Sequence, residues 1–123
     1  MKLLIADDDP TVHVVFTRFL TKNGFEVFHA NNGREALAMA QAHRPDIILL
    51  DLLMPEMDGR DVCKALKADP GTNLISVVML TARDQPWDRL LGLELGADEY
   101  IEKPCDLFYL DRVVTRIRTR REG

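Results

Sequence analysis

Asp7, Asp8 and Asp9 follow the apolar run LLIA, Asp51 follows DIILL, and Lys103 follows DEYIE. Carboxylates at the ends of buried strands suggest a site for metal and phosphate. Carboxylate oxygens suit a hard cation such as Mg²⁺, and a lysine can neutralise phosphoryl oxygens. Three converging carboxylates (Asp7, Asp8 and Asp51) would repel one another and raise the proton affinity of at least one, unless a cation joined them. Aspartates after strands also cap helices, and Asp9 before Pro10 is read that way. Asp51 is followed by Leu52-Leu53-Met54-Pro55, where no helix begins.

The elements that must position these residues are legible from apolar spacing. KLLIA reads as a strand. Asp9-Pro10 then supplies an N-cap and a first-turn proline, and Val12, Val15, Phe16, Phe19 and Leu20 form a helix face closed by Gly24. FEVFHA is a second strand. Asn32-Gly33-Arg34-Glu35 resembles a capping box for a helix over Ala36, Leu37 and Ala40, ending before Pro45. DIILLD is a third strand, and Asp58 caps a helix carrying Val62, Ala65 and Leu66. The turn Asp69-Pro70-Gly71 leads to the strand ISVVMLT. Pro86 starts a predicted fourth helix with Leu90 and Leu93 inward and Gly96 as its C′ residue. After DEYIE, Asp106 caps a fifth with Leu107, Leu110, Val114 and Ile117 inward.

Alternation of apolar strands and helices predicts an α/β fold with a parallel sheet covered on both faces. In sheets of this kind ligands bind at the carboxyl ends of the strands where strand order reverses. For order 2-1-3-4-5 that is between strands 1 and 3, after which Asp7, Asp8 and Asp51 stand.

The chain has 123 residues, 46% of them hydrophobic, enough for one domain (1–123) with a core needing no disulfide. A net charge of −4 argues against direct nucleic-acid binding by this segment. The basic residues Arg112, Arg116, Arg118, Arg120 and Arg121 are read as the solvated face of the last helix. Cys63 and Cys105 fit no paired spacing and suit a reducing cytoplasm as apolar fillers. No run approaches the roughly 18 apolar residues of a membrane helix. His13, His29 and His43 form no metal motif and are read as surface or half-buried residues.

Taken together, Asp7-Asp8, Asp51 within DLLMPEMDG, Thr81-Ala82, Gly96-Ala97-Asp98 and Lys103-Pro104 resemble the receiver domains of bacterial two-component response regulators over essentially the whole chain. The resemblance implies a flavodoxin-like, doubly wound five-stranded sheet with five helices. It implies Asp51 as phosphoacceptor, with Mg²⁺ (or Mn²⁺) held by Asp8, Asp51 and the Leu53 carbonyl and assisted by Asp7. Thr81 and Lys103 would bind the phosphoryl oxygens, and a cis bond before Pro104 would aim the lysine. Thr81 and Tyr100 would form a switch pair read out by the surface of helix 4, strand 5 and helix 5, although Tyr100 also suits an ordinary strand aromatic. The implied donor is a sensor histidine kinase or histidine phosphotransfer protein, and the implied consumer is an output domain or a homodimer. The chain would be a stand-alone regulator or one domain of a longer protein.

Several positions depart from the family pattern. Leu53 stands where many members are polar or smaller, with Arg83 as its companion beside the hydrolytic water path, which predicts slow self-dephosphorylation. Leu91, Leu95, Tyr109 and Val113, with Trp87, could form an apolar partner patch or close the core edge. Cys105 replaces a common aromatic. A metal-dependent phosphatase would need a second aspartate where Leu53 stands, together with a cap segment, and a phosphate-independent interaction module would not need the acidic set.

Overall fold

A computed structural model describes residues 1–82, 96–103 and 106–123. The strands are β1 (Lys2–Ala6), β2 (Glu26–Ala30), β3 (Ile47–Asp51), β4 (Ser76–Ala82) and β5 (Glu99–Lys103). They form one parallel sheet in the order β2-β1-β3-β4-β5, as expected. The described helices are α1 (Pro10–Lys22), α2 (Gly33–His43), α3 (Gly59–Ala68) and α4 (Leu107–Glu122). The last is the fifth of the predicted helices. The one expected after Pro86 lies outside the described residues, as do Arg83, Trp87, Leu91, Leu95, Pro104 and Cys105.

Two-residue periodicity divides the core between the two faces of the sheet. Leu4, Ile48, Leu50, Val77 and Met79 pack with residues of α2 and α3, such as Ala40 and Leu66. Leu3, Ile5, Leu49, Val78 and Ile101 face α1 and α4, where Phe16, Leu20, Leu110, Val114 and Ile117 meet them. Every residue of β3 is buried, because neighbours pair on both edges and helices cover both faces.

The caps act as their residue types require. Asp9 accepts from the Thr11 amide, Asp58 from those of Arg60 and Asp61, and Asp106 from that of Tyr109. Asn32 accepts from the Glu35 amide, but Glu35 reaches back to the Asn31 amide, one residue earlier than a capping box requires. Arg44, in the left-handed region at φ 46°, ends α2 before Pro45.

Two expectations are corrected, and one open alternative is decided. Val15, placed on the buried face of α1, is 41% exposed, because the inward arc of that helix is narrower than its apolar stripe. Of the two readings given for Val113, partner patch or core edge, the core edge holds, since Val113 is fully buried, while Tyr109 remains exposed. The arginines of α4 are not simply solvated. Arg118 donates to the Asn23 carbonyl (2.8 Å) and lies 4.0 Å over the Phe25 ring centroid. Arg121 donates to the Leu74 carbonyl (2.9 Å) and to Ser76 Oγ (3.0 Å) and pairs with Asp46, whereas Arg116 and Arg120 pair with Glu99. The helix end returns to the amino-terminal edge of the sheet, where the arginines satisfy the loop carbonyls of Asn23 and Leu74.

Candidate functional site

Parallel register brings the chemistry together. Ala6 pairs with Leu50, so Asp7 and Asp51 emerge at one level from adjacent strands. Asp51 pairs with Leu80, which puts Thr81 one residue further along β4. Ala82 pairs with Lys103 at the end of β5. Residues separated by up to about a hundred positions thus meet at the carboxyl edge.

Oxygens of Asp7, Asp8 and Asp51 can all lie within 4.8 Å of one another, with Asp7 and Asp51 buried and Asp8 exposed. Lys103 Nζ stands 2.7 Å from Asp7 Oδ2 and 3.3 Å from Asp51 Oδ2. Asp7 Oδ1 accepts from the Asp9 amide at 2.9 Å. Asp7 Oδ2 is buried without a well-formed hydrogen bond, so its contact with Lys103 is ionic rather than directional. Leu53 donates its amide to Asp51 Oδ1 at 3.3 Å, and its side chain is about half exposed.

Burial, and then the charge of Asp7, pushes the Asp51 carboxyl up to about 7. Lys103 and the Leu53 amide oppose that rise. Burial alone would lower the Lys103 ammonium, but its contacts with Asp7 and Asp51 outweigh it and raise the group. These opposing effects describe crowded carboxylates only partly compensated by one ammonium. An all-oxygen donor set with a buried, under-satisfied carboxylate oxygen fits Mg²⁺ or Mn²⁺, which would coordinate carboxylates and a backbone carbonyl.

Thr81 is buried. Tyr100 is buried too, in the cluster that contains Met79 and Ala97. The acidic set and Lys103 therefore converge, while Thr81 lies on the interior strand β4 and Tyr100 on the edge strand β5 beside it.

Two supports were missed in the sequence. Gly59 donates to the Leu52 carbonyl, and a Cβ there would collide with the Asp51 carbonyl oxygen. A Cβ at Gly33 would collide with the Met57 carbonyl oxygen. Between them lies Glu56 at φ 71°, with the Met57 amide turned back onto the Pro55 carbonyl at 2.8 Å. The DG pair after a proline was a signal for the first, while nothing local announced the second. The histidines also do more than fill surface. His13 Nδ1 is 2.8 Å from His29 Nδ1, and His13 Nε2 is 2.7 Å from the Asp7 carbonyl oxygen. A neutral His13 that donates from Nε2 to that carbonyl accepts from His29 at Nδ1. Burial, and then His13, lowers the His29 pKa. A spacing of sixteen residues carries no motif.

Residues 3–116 match the family described as response regulator receiver domain. The chain belongs to this family. Receiver domains are signalling domains of two-component systems, whose general role is to accept a phosphoryl group. This receiver is 42% identical over 119 residues to the DNA-binding response regulator MtrA of Mycolicibacterium smegmatis, covering 97% of the chain and 50% of MtrA. It is 41% identical over 103 residues to the alkaline phosphatase synthesis transcriptional regulatory protein PhoP of Bacillus subtilis, covering 84% of the chain and 42% of PhoP. The chain thus spans about half the length of these relatives or less.

Among solved structures, the receiver resembles the signal receiver domain of a signal transduction histidine kinase from Syntrophus aciditrophicus. The TM-score is 0.86 and the identity 40%, over 94% of this chain and 88% of that one. It also resembles the chemotaxis response regulator CheY4 of Vibrio cholerae, with a TM-score of 0.88 and 33% identity over 94% and 97% of the two chains. The expectation of no direct nucleic-acid contact gains no support here, because MtrA is named as DNA-binding. No described helix is long and apolar enough to cross a membrane.

Proposed function

We propose that residues 1–123 form a single receiver domain in which Asp51 accepts a phosphoryl group from a phosphohistidine. The donor is a sensor histidine kinase or a histidine phosphotransfer protein. The carrying observation is the meeting of Asp7, Asp8 and Asp51 within 4.8 Å, with the Lys103 ammonium 3.3 Å from Asp51. Ionised Asp51 attacks phosphorus, the P–N bond breaks, and the imidazole leaves with the electron pair. Lys103 and the Thr81 hydroxyl neutralise the phosphoryl oxygens. Asp8, Asp51 and the Leu53 carbonyl would hold Mg²⁺ or Mn²⁺, with Asp7 assisting. The bound ion would offset charge shared by nucleophile and phosphoryl group.

The phosphorylated state draws Thr81 toward the phosphoryl group and favours an inward Tyr100. This changes the surface of β5, α4 and the helix expected after Pro86, which completes five β-α units. That surface addresses an output domain or a second copy of the chain. Catalysis is limited to self-phosphorylation and slow self-hydrolysis, in the cytoplasm.

Intact mass after incubation with acetyl phosphate tests this reading. One phosphoryl adduct that requires both Mg²⁺ and Asp51 is expected. An adduct that persists in Asp51→Ala, or no adduct at all, overturns it.

A further inference from the structure

Beside the acceptor lies a cavity of about 550 Å³ between α1 and the loop after β3. Val12, Val15, Phe16, Leu53 and Leu80 supply its apolar walls, and Asp9, Thr11, Asp51 and Lys103 are its polar members. The volume is in the range of small-molecule sites, and mostly apolar walls with a few placed charges are the usual make-up of such a site. Val15 and Leu53 keep large apolar surfaces uncovered, at 41% and 52% exposure. Neither closes the core, yet both border the group proposed to react. An anionic head would meet the ammonium of Lys103, and an apolar body would lie against these walls.

We infer that this cavity receives the apolar acyl portion of small acyl phosphates, so that aromatic or branched acyl phosphates are better phosphodonors than acetyl phosphate. The inference rests on the acceptor role of Asp51. In the step, an Asp51 carboxylate oxygen attacks phosphorus, the bond from phosphorus to the acyl oxygen breaks, and the carboxylate leaves with the electron pair. An aspartyl phosphate and free benzoate form from benzoyl phosphate, with charge conserved and no other reactant. The methyl of acetyl phosphate leaves most of the apolar wall uncovered, whereas a phenyl ring covers it.

The test compares initial labelling rates with benzoyl phosphate and acetyl phosphate, at saturating Mg²⁺, for the parent, Val15→Asn and Val12→Thr. Intrinsic donor reactivity cancels when the benzoyl-to-acetyl ratio is compared between variants. The ratio is expected to fall about tenfold in Val15→Asn, the scale of a lost apolar contact in a specificity pocket, with acetyl phosphate labelling retained. Val12→Thr should lower it in the same direction. A ratio equal in parent and both variants overturns the inference while leaving the acceptor role intact. Phenylphosphonate and methylphosphonate, which cannot transfer, provide a second reading by calorimetry. Tighter binding of phenylphosphonate that is lost in Val15→Asn supports the cavity, and equal binding overturns it. Failure of both acyl phosphates to label the parent defeats the acceptor reading itself.

Discussion

Lys103 Nζ stands 2.7 Å from Asp7 Oδ2, inside the contact distance of an ion pair, with that oxygen wholly enclosed by protein. Without a cation the lysine is the principal compensation for a buried carboxylate, and it shares that charge with Asp51. Removing one partner of such a pair leaves an uncompensated charge. Lys103→Met should therefore lower the melting temperature in EDTA, by an amount that corresponds to about 3 kcal/mol or less, since the lysine is partly exposed. Millimolar Mg²⁺ should restore much of the loss. Melting curves with and without Mg²⁺ check this, and a loss that Mg²⁺ does not reduce would deny the metal its place among these carboxylates.

Asp51 gives the site a pH dependence of defined sign. Its folded pKa of about 7 exceeds the ordinary value of 3.8, so the folded state holds this proton more tightly than the unfolded one. The resulting stability is fully present below about 3.8 and is lost as pH rises through about 7. Urea titrations without Mg²⁺ should show this decline, Asp51→Asn should flatten it, and Mg²⁺ should offset it by favouring the ionised form.

Gly33 supplies a test in which the sign itself decides. Glycine to alanine inside a helix ordinarily stabilises by about 0.5–1 kcal/mol. Here the new Cβ would collide with the Met57 carbonyl oxygen. Gly33→Ala should instead destabilise by about 1–3 kcal/mol, the cost of overpacking. It should also weaken Mg²⁺ binding, because Met57 ends the loop that carries Leu53. Gly71→Ala meets only side-chain atoms, the nearest being Asp69 Oδ1 at 3.4 Å, and serves as the control. Equilibrium denaturation and calorimetry with Mg²⁺ read the two effects separately.

Leu53 lines the same cavity as Asp51, the proposed acceptor, with an apolar side chain where a polar one could orient water. Leu53→Asn should shorten the lifetime of the aspartyl phosphate about tenfold or more, the lower end of what a positioned polar group contributes to catalysis. The decay of the phosphorylated mass at fixed Mg²⁺ measures it. An unchanged lifetime would assign control of hydrolysis elsewhere.

Much of this protein was legible in the order of its residues. Unbroken apolar runs such as IILL were strand-sized and read as strands buried on both faces, and Asp9, Asp58 and Asp106 marked helix starts because a carboxylate satisfies free amides there. Strand alternation implied a parallel sheet, and the strand-end aspartates with Lys103 implied the site. Local pattern could not say which apolar residues a packed helix leaves outside, so Val15 lies outside against expectation and only packing decided between the two readings of Val113. Nor could it show that Arg118 and Arg121 find carbonyl partners on loops far away in sequence. The His13–His29 pair, the collision that reserves Gly33 for glycine, and the ammonium lodged against Asp7 arise only when distant segments meet. Spacing along the chain determined which chemical groups reach the carboxyl edge of the sheet, and packing in three dimensions decided their distances, burial and charge balance, because those quantities depend on neighbours that the chain order does not name.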